Sequence, residues 1–191
     1  MLLEFDFTAW VVGLATLGLF LIVMRRRSKN YLFFLSFFWI YLLVVISLTF
    51  FPIPLQGSNP SGTFQQQIQF MQHVHALNLW PLNFDACWEF PRSCFNNLVG
   101  NILLTLPFGF GIKFLFHPSS RDYIWVAFAI GLAIEGLQFM LNLATGSAFR
   151  TVDVNDVLLN ALGTWIGYGC FLVVTWFFKH LIKFTPGWWP A

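Results

Sequence analysis

The stretch YIWVAFAIGLAIEGLQFMLNL, residues 123–143, decides how this chain is read. It carries no base, and its apolar run is interrupted by Glu135, Gln138 and Asn142. The hydrocarbon core of a bilayer takes about 20 apolar residues in helical form. Backbone groups in lipid must satisfy one another, so the stretch predicts a membrane-spanning helix. Its three polar residues are spaced by three and four and therefore share one face, with Gly131 on the same stripe. Glu135 lies roughly 12 Å in from the end of the span at Leu143, at about 1.5 Å per residue. An ionisable group at that depth is costly, so it faces the bundle interior and a partner.

Outward from this span, four more runs are long enough to cross: roughly 7–24, 31–51, 98–116 and 157–178. Together they predict an all-α integral membrane bundle of five transmembrane helices, with residues 1–191 forming one membrane domain. Composition agrees, with 58% hydrophobic and 9% charged residues. Soluble domains average about 25% charged, and disordered chains are far less apolar. Aromatics reach 20%, as suits lipid contact and interfacial belts. The alternation of a membrane β-barrel is missing. A net charge of +2 predicts no nucleic-acid partner.

Lys and Arg set the orientation. Arg25, Arg26, Arg27, Lys29, Lys113, Arg121, Lys179 and Lys183 fall on one side of this topology, and Arg92 and Arg150 on the other. The basic side is thus expected to be cytoplasmic, with the N-terminus extracytoplasmic and the C-terminus inside. Glu4, Asp6, Asp85, Glu89, Asp153 and Asp156 then lie outside. The first span reads as a retained anchor rather than a signal peptide, because its bases follow the apolar run.

The extracytoplasmic loop 52–96 caps the outer face in this reading. Phe51-Pro52-Ile53-Pro54 and Gly57-Ser58-Asn59-Pro60 predict irregular chain. Residues 63–77 read as a short amphipathic helix, either lying on the outer leaflet or packed on the bundle. Cys87 and Cys94 are a disulfide candidate in an oxidising compartment, and unpaired thiols in a reducing one. Cys170, inside the last span, reads as a small buried residue. His73 and His75 do not share a helix face, so no metal is assigned to them. His117 and His180 are assigned no chemistry. The stretch 184–191, with Trp188 and Trp189, reads as an interfacial tail.

Polar residues recur at helical spacing in the other late spans too. Asp153, Asp156, Asn160, Gly163 and Gly167 form one stripe, and Gly163 with Gly167 permits close helix contact, within the chain or toward a partner. Asp156 is placed either as a helix N-cap or near the positive end of the helix dipole. Asn97 and Asn101 are four apart, and Pro107 kinks their span. One extracytoplasmic polar pocket of Asn97, Asn101, Glu135, Gln138, Arg150, Asp153, Asp156 and Asn160 follows. Interhelical hydrogen bonding is the plainer use of such residues, and Arg150 paired with Asp153 or Glu135 would be a structural clamp. Three carboxyl groups and an arginine at one level exceed what such bonding requires.

The run Asn97-x3-Asn101-x5-Pro107-x-Gly109, then Glu135-x2-Gln138, then Arg150-x2-Asp153-x2-Asp156-x3-Asn160-x2-Gly163-x3-Gly167 resembles the VanZ-like family of bacterial integral membrane proteins. Asn78-Leu79-Trp80-Pro81-Leu82 is similar to the family's Asn-Leu-x-Pro-Phe element, and the resemblance covers roughly 31–178. Asn155 stands where the family often has aspartate, and Thr164 where a second glycine is common. The resemblance implies a multi-pass protein of the bacterial cytoplasmic membrane and a link to resistance to the glycopeptide teicoplanin.

The first function expected of this pocket is binding an anionic lipid, a lipid-linked cell-wall intermediate or a lipid-tailed glycopeptide at the outer leaflet. Arg150 grips a phosphate, Asn101, Gln138 and Asn160 bond sugar or phosphate oxygens, and rim aromatics contact the chain. A membrane enzyme acting on such a lipid is the second, with Glu135 as catalytic acid or base and Asp153 with Asp156 able to hold Mg²⁺ or Ca²⁺. No phosphate loop, Ser-His-Asp order or zinc helix accompanies them. A proton-coupled lipid transporter is a third reading. A non-catalytic scaffold subunit, docking an oligomer or partner membrane protein through Gly163 and Gly167, is the fourth.

Overall fold

The computed structural model describes residues 2–55, 63–83, 87–88, 90–116 and 118–180. The expectations for Asp85, Glu89, His117, Lys183, Gly57 to Pro60 and the 184–191 tail lie outside the described residues. Six helices carry the described chain: α1 (Phe7–Val23), α2 (Lys29–Phe50), α3 (Phe64–His73), α4 (Pro91–Phe116), α5 (Ser120–Thr145) and α6 (Val154–His180). The fold is an all-α membrane bundle. Helices α2, α4, α5 and α6 are long and apolar enough to cross a bilayer, and α1 is a shorter apolar helix of 17 residues.

Local chemistry fixes where the helices start and stop. Asp6 and Ser28 cap α1 and α2, each side chain accepting a first-turn N–H. Reciprocal capping boxes open α3 (Thr63 with Gln66) and α5 (Ser119 with Asp122). Gly146 ends α5 at φ 61°, in the left-handed region that glycine adopts freely. Helix α4 begins at Pro91, seven residues ahead of the expected 98, because a first proline pre-sets the helical φ. Arg92, Asn96 and Asn97 hide this start from a hydropathy reading.

Helix α6 is the spine, packed along α4 and α5, while α1 packs chiefly on α2. Glycines set the α4–α6 distance. A Cβ on Gly109 would sit 2.0 Å from the Thr164 carbonyl oxygen, on Gly163 2.3 Å from the Ile102 oxygen, and on Gly167 2.0 Å from the Leu106 oxygen. The close contact that Gly163 and Gly167 permit is made here within the chain, to α4. Thr164, where a further glycine is common, fits because its hydroxyl turns back to the Asn160 carbonyl at 2.9 Å. Tyr41 on α2 donates to the Leu104 carbonyl at 2.5 Å, close to Pro107 inside α4.

Cys170 departs from its expected burial. It lies exposed on α6, beside Gly169, which has open space around it. Lipid hides that surface, so sequence hydropathy does not separate it from the core.

Two short strand pairs tie loops to the bundle. Strand β1 (Leu2–Leu3) pairs antiparallel with β2 (Ile53–Pro54), joining the start of α1 to the exit of α2. Strand β3 (Leu77–Asn78) pairs parallel with β4 (Val152–Asp153), binding the segment after α3 to the α5–α6 loop. The amphipathic helix is shorter than expected, ending at His73, and is packed rather than free: Met71 is buried, and its carbonyl accepts the Ala76 N–H at 2.8 Å.

Candidate polar cleft at one end of the bundle

Where α2 and α5 end and α4 and α6 begin, a cleft of about 830 Å³ opens. Asn97, Asn101, Glu135, Gln138, Arg150, Asp153 and Asp156 all line it. Asn160 does not. It lies fully buried beneath, with both side-chain amide atoms free of hydrogen-bond partners among the described residues. Its backbone carbonyl meanwhile accepts from Thr105 and Thr164.

Each carboxyl group is held differently. Glu135 is 5% exposed, and its Oε2 accepts the Asp153 backbone N–H at 2.9 Å. Asp153 Oδ1 accepts from Asn78 Nδ2 at 3.0 Å and from the Asn155 N–H at 2.8 Å. Asp156, in the first turn of α6 and near the positive end of its dipole, accepts from Asn97 Nδ2 at 3.0 and 3.3 Å. Asn101 in turn donates to the Asn97 carbonyl at 3.2 Å. Glu135 Oε1 and Asp153 Oδ2 have no donor among the described residues.

Arg150 departs from the clamp expected of it and forms no ion pair with Glu135 or Asp153. Its Nη2 donates to the carbonyls of Leu48, at 3.3 Å, and of Phe51. Those are among the last carbonyls of α2 and its C-cap, which a helix leaves without internal donors and which attract a cation. Burial pulls the guanidinium pKa down from its ordinary value, yet arginine stays charged at physiological pH. Gln138 reaches the same helix end, donating to the Thr49 carbonyl at 3.2 Å. The guanidinium is aimed by Asn142, whose Nδ2 donates to the Arg150 carbonyl at 2.7 Å and whose Oδ1 accepts the Arg150 N–H at 3.3 Å.

Cys87 and Cys94 are joined as a disulfide, Cα atoms 5.1 Å apart, and both line the cleft. Next to them lies a smaller apolar hollow of about 350 Å³, walled by the same cysteines with Pro91, Phe95 and Leu98. Leu79, Trp80, Leu82, Trp88 and Phe90, outside the long helices, are each at least 64% exposed.

Three participants escaped the sequence reading. Thr49 is a cleft residue at the end of an apolar span. Asn78 was visible only within the Asn-Leu-x-Pro-Phe likeness. Asn155, seen as a departure, is an amide clamp: its Oδ1 accepts the Leu82 N–H at 2.6 Å and its Nδ2 donates to the Asn83 carbonyl at 2.9 Å. A carboxylate makes the first bond but cannot make the second. Asn155→Asp is thus expected to loosen the 78–83 segment by about 0.5–1.5 kcal/mol, the net worth of one hydrogen bond to a carbonyl that water can reach. Faster limited proteolysis within that segment is the readout, and an unchanged rate would dismiss the clamp.

Fold and site together define a multi-pass membrane protein with a polar cleft at one end of its bundle. The VanZ/LLP1 family model matches residues 38–177, roughly three quarters of the chain, and the chain belongs to that family. The matched region holds every polar cleft residue named above and leaves out α1. No curated protein and no solved structure matches the chain.

Proposed function

We propose that this VanZ/LLP1 protein receives, from the outer leaflet of the bacterial cytoplasmic membrane, the polar head of a lipid-tailed molecule. An envelope lipid, a lipid-linked cell-wall intermediate and a lipid-tailed glycopeptide of the teicoplanin type share that chemistry. The observation that carries the reading is the cleft's lining: amide side chains, carboxyl groups and one fixed guanidinium suit hydroxyls, amides and a single acidic group. Three carboxyl groups against one arginine disfavour a multiply phosphorylated head. Exposed Phe90 on the cleft wall, and exposed Trp80 and Trp88 close in sequence to the lining residues Asn83 and Cys87, suit the headgroup–chain boundary, where aromatic rings collect. The apolar hollow beyond the disulfide offers the chain a place to start.

Orientation is part of the same proposal. Arg25, Arg26 and Arg27 lie between α1 and α2, Lys29 opens α2, Lys113 and Arg121 flank the α4–α5 turn, and Lys179 is near the end of α6. All are at the end opposite the cleft, which supports a cytoplasmic position for them. A disulfide at the cleft supports an oxidising side.

Native mass spectrometry of the gently extracted protein tests the reading. The wild type is expected to retain a lipid-range mass that Arg150→Ala loses. Equal retention by the variant would remove the central contact of the proposal. Catalysis by Glu135 is a second reading, favoured by its place on the cleft wall and by its Oε1, which has no donor among the described residues. It requires turnover of a purified envelope lipid that Glu135→Gln abolishes.

A further inference from the structure

The cleft has two chemically different corners. At the end of α2 are donors in excess. Nη2 of Arg150 is used on carbonyls, while Arg150 Nε and Thr49 Oγ1 are buried without a hydrogen-bond partner among the described residues. Thr49 is only 6% exposed, yet it forms part of the cleft wall. Leaving such donors unpaired is costly, and a helical threonine has two χ1 wells between which its hydroxyl can swing. An oxyanion arriving in the cleft pairs with the guanidinium, and the Thr49 hydroxyl reaches the same anion by that swing. On the α5–α6 side are acceptors in excess. Glu135 Oε1 and Asp153 Oδ2 have no donor among the described residues, and Asp156 lies close by on the same wall. Carboxyl oxygens gathered without bases call for a group carrying several N–H donors and positive charge, which is a primary ammonium.

We propose that the cleft selects a zwitterionic head group, with an oxyanion beside Arg150 and Thr49 and a primary ammonium against Glu135 and Asp153. The inference rests on the lipid-head reading above and narrows it to amine-bearing heads. A phosphoethanolamine head has this chemistry. A glycerol phosphate head has the anion alone. A choline head has the positive charge but no N–H to donate.

The test measures binding of dioctanoyl phosphatidylethanolamine, phosphatidylglycerol and phosphatidylcholine to the full chain in detergent, followed by tryptophan fluorescence. The ethanolamine lipid is expected to bind about tenfold more tightly than either other lipid, the factor for one charge-assisted contact. Glu135→Gln is expected to erase that preference, bringing the ethanolamine lipid down to the affinity of phosphatidylglycerol measured on the same variant. Asp153→Asn reads the second carboxyl group independently, should the first variant fail to fold. Thr49→Val is expected to weaken the ethanolamine and glycerol lipids by a similar factor. Equal affinities for all three lipids, or a preference that survives both carboxyl substitutions, would overturn the zwitterion and leave the lipid reading standing. Free phosphoethanolamine binding as tightly as the lipid would do the reverse, keeping the head-group chemistry and removing the need for a chain. Binding of none of these probes overturns both.

Discussion

Gly109→Ala is expected to lower the thermal midpoint of the detergent-solubilised protein sharply, whereas Gly136→Ala and Gly169→Ala are expected to leave it level or raise it. The three substitutions add the same methyl group to a helix, where alanine is intrinsically favoured over glycine by about 1 kcal/mol. What differs is the neighbour. At Gly136 and Gly169 the new Cβ meets nothing within 4 Å. At Gly109 it meets the Thr164 carbonyl oxygen at 2.0 Å, with the carbonyl carbon and Cα behind it. A side chain would swing aside, but this obstacle is backbone, so α4 and α6 must separate along their length. Overpacking costs about 1–3 kcal/mol when side chains absorb it, and a contact between two helix backbones belongs at the top of that range. Separation also stretches the Thr105 Oγ1 bond to the Asn160 carbonyl, 2.8 Å long and fully buried. Scanning fluorimetry of the three variants gives the comparison. Equal midpoints would mean that the α4–α6 contact is looser than described.

The same contact explains how much of the protein was legible. Runs of about 20 apolar residues gave all the long helices, because lipid allows hardly any other backbone. The Glu135, Gln138, Asn142 stripe and the Asp153 to Gly167 stripe identified the inward faces, because a polar group has few places to go in hydrocarbon. Seven of the eight pocket residues named from spacing line one cleft, and Asn160 is displaced only to the layer below. What stayed hidden is pairing at long sequence separation. Nothing local in Arg150 says that it seeks carbonyls 99 and 102 residues earlier rather than Asp153, three residues away. The bare C-terminus of α2 makes that choice, and its location relative to Arg150 is a property of the assembled bundle. Small-residue spacing at Gly163 and Gly167 likewise announces close contact without saying whose helix approaches.

Asn142→Ala is expected to be the most damaging change at the cleft that touches no proposed ligand contact. Asn142 is 2% exposed, and its amide binds both the N–H and the carbonyl of Arg150, as a neighbouring strand would. The α5–α6 loop leaves α5 at Gly146, where the Ser147 N–H also returns to the Asn142 carbonyl at 3.1 Å. Removing the amide leaves two backbone groups of Arg150 without partners, at about 1–3 kcal/mol for each one that water does not reach. The guanidinium then loses its fixed origin, and its bonds to the Leu48 and Phe51 carbonyls become harder to keep. Two readouts are therefore expected to move together: a lower thermal midpoint, and weaker retention of whatever lipid the wild type holds. Asn142→Asp keeps the acceptor for the Arg150 N–H and gives up the donor to its carbonyl, so it is expected to fall between alanine and wild type in both. If Asn142→Ala melts early yet retains lipid as well as the wild type, Arg150 needs no backbone support to do its work. If retention falls with the midpoint unchanged, the amide is acting on the ligand directly, and the positioning role assigned to it here is wrong.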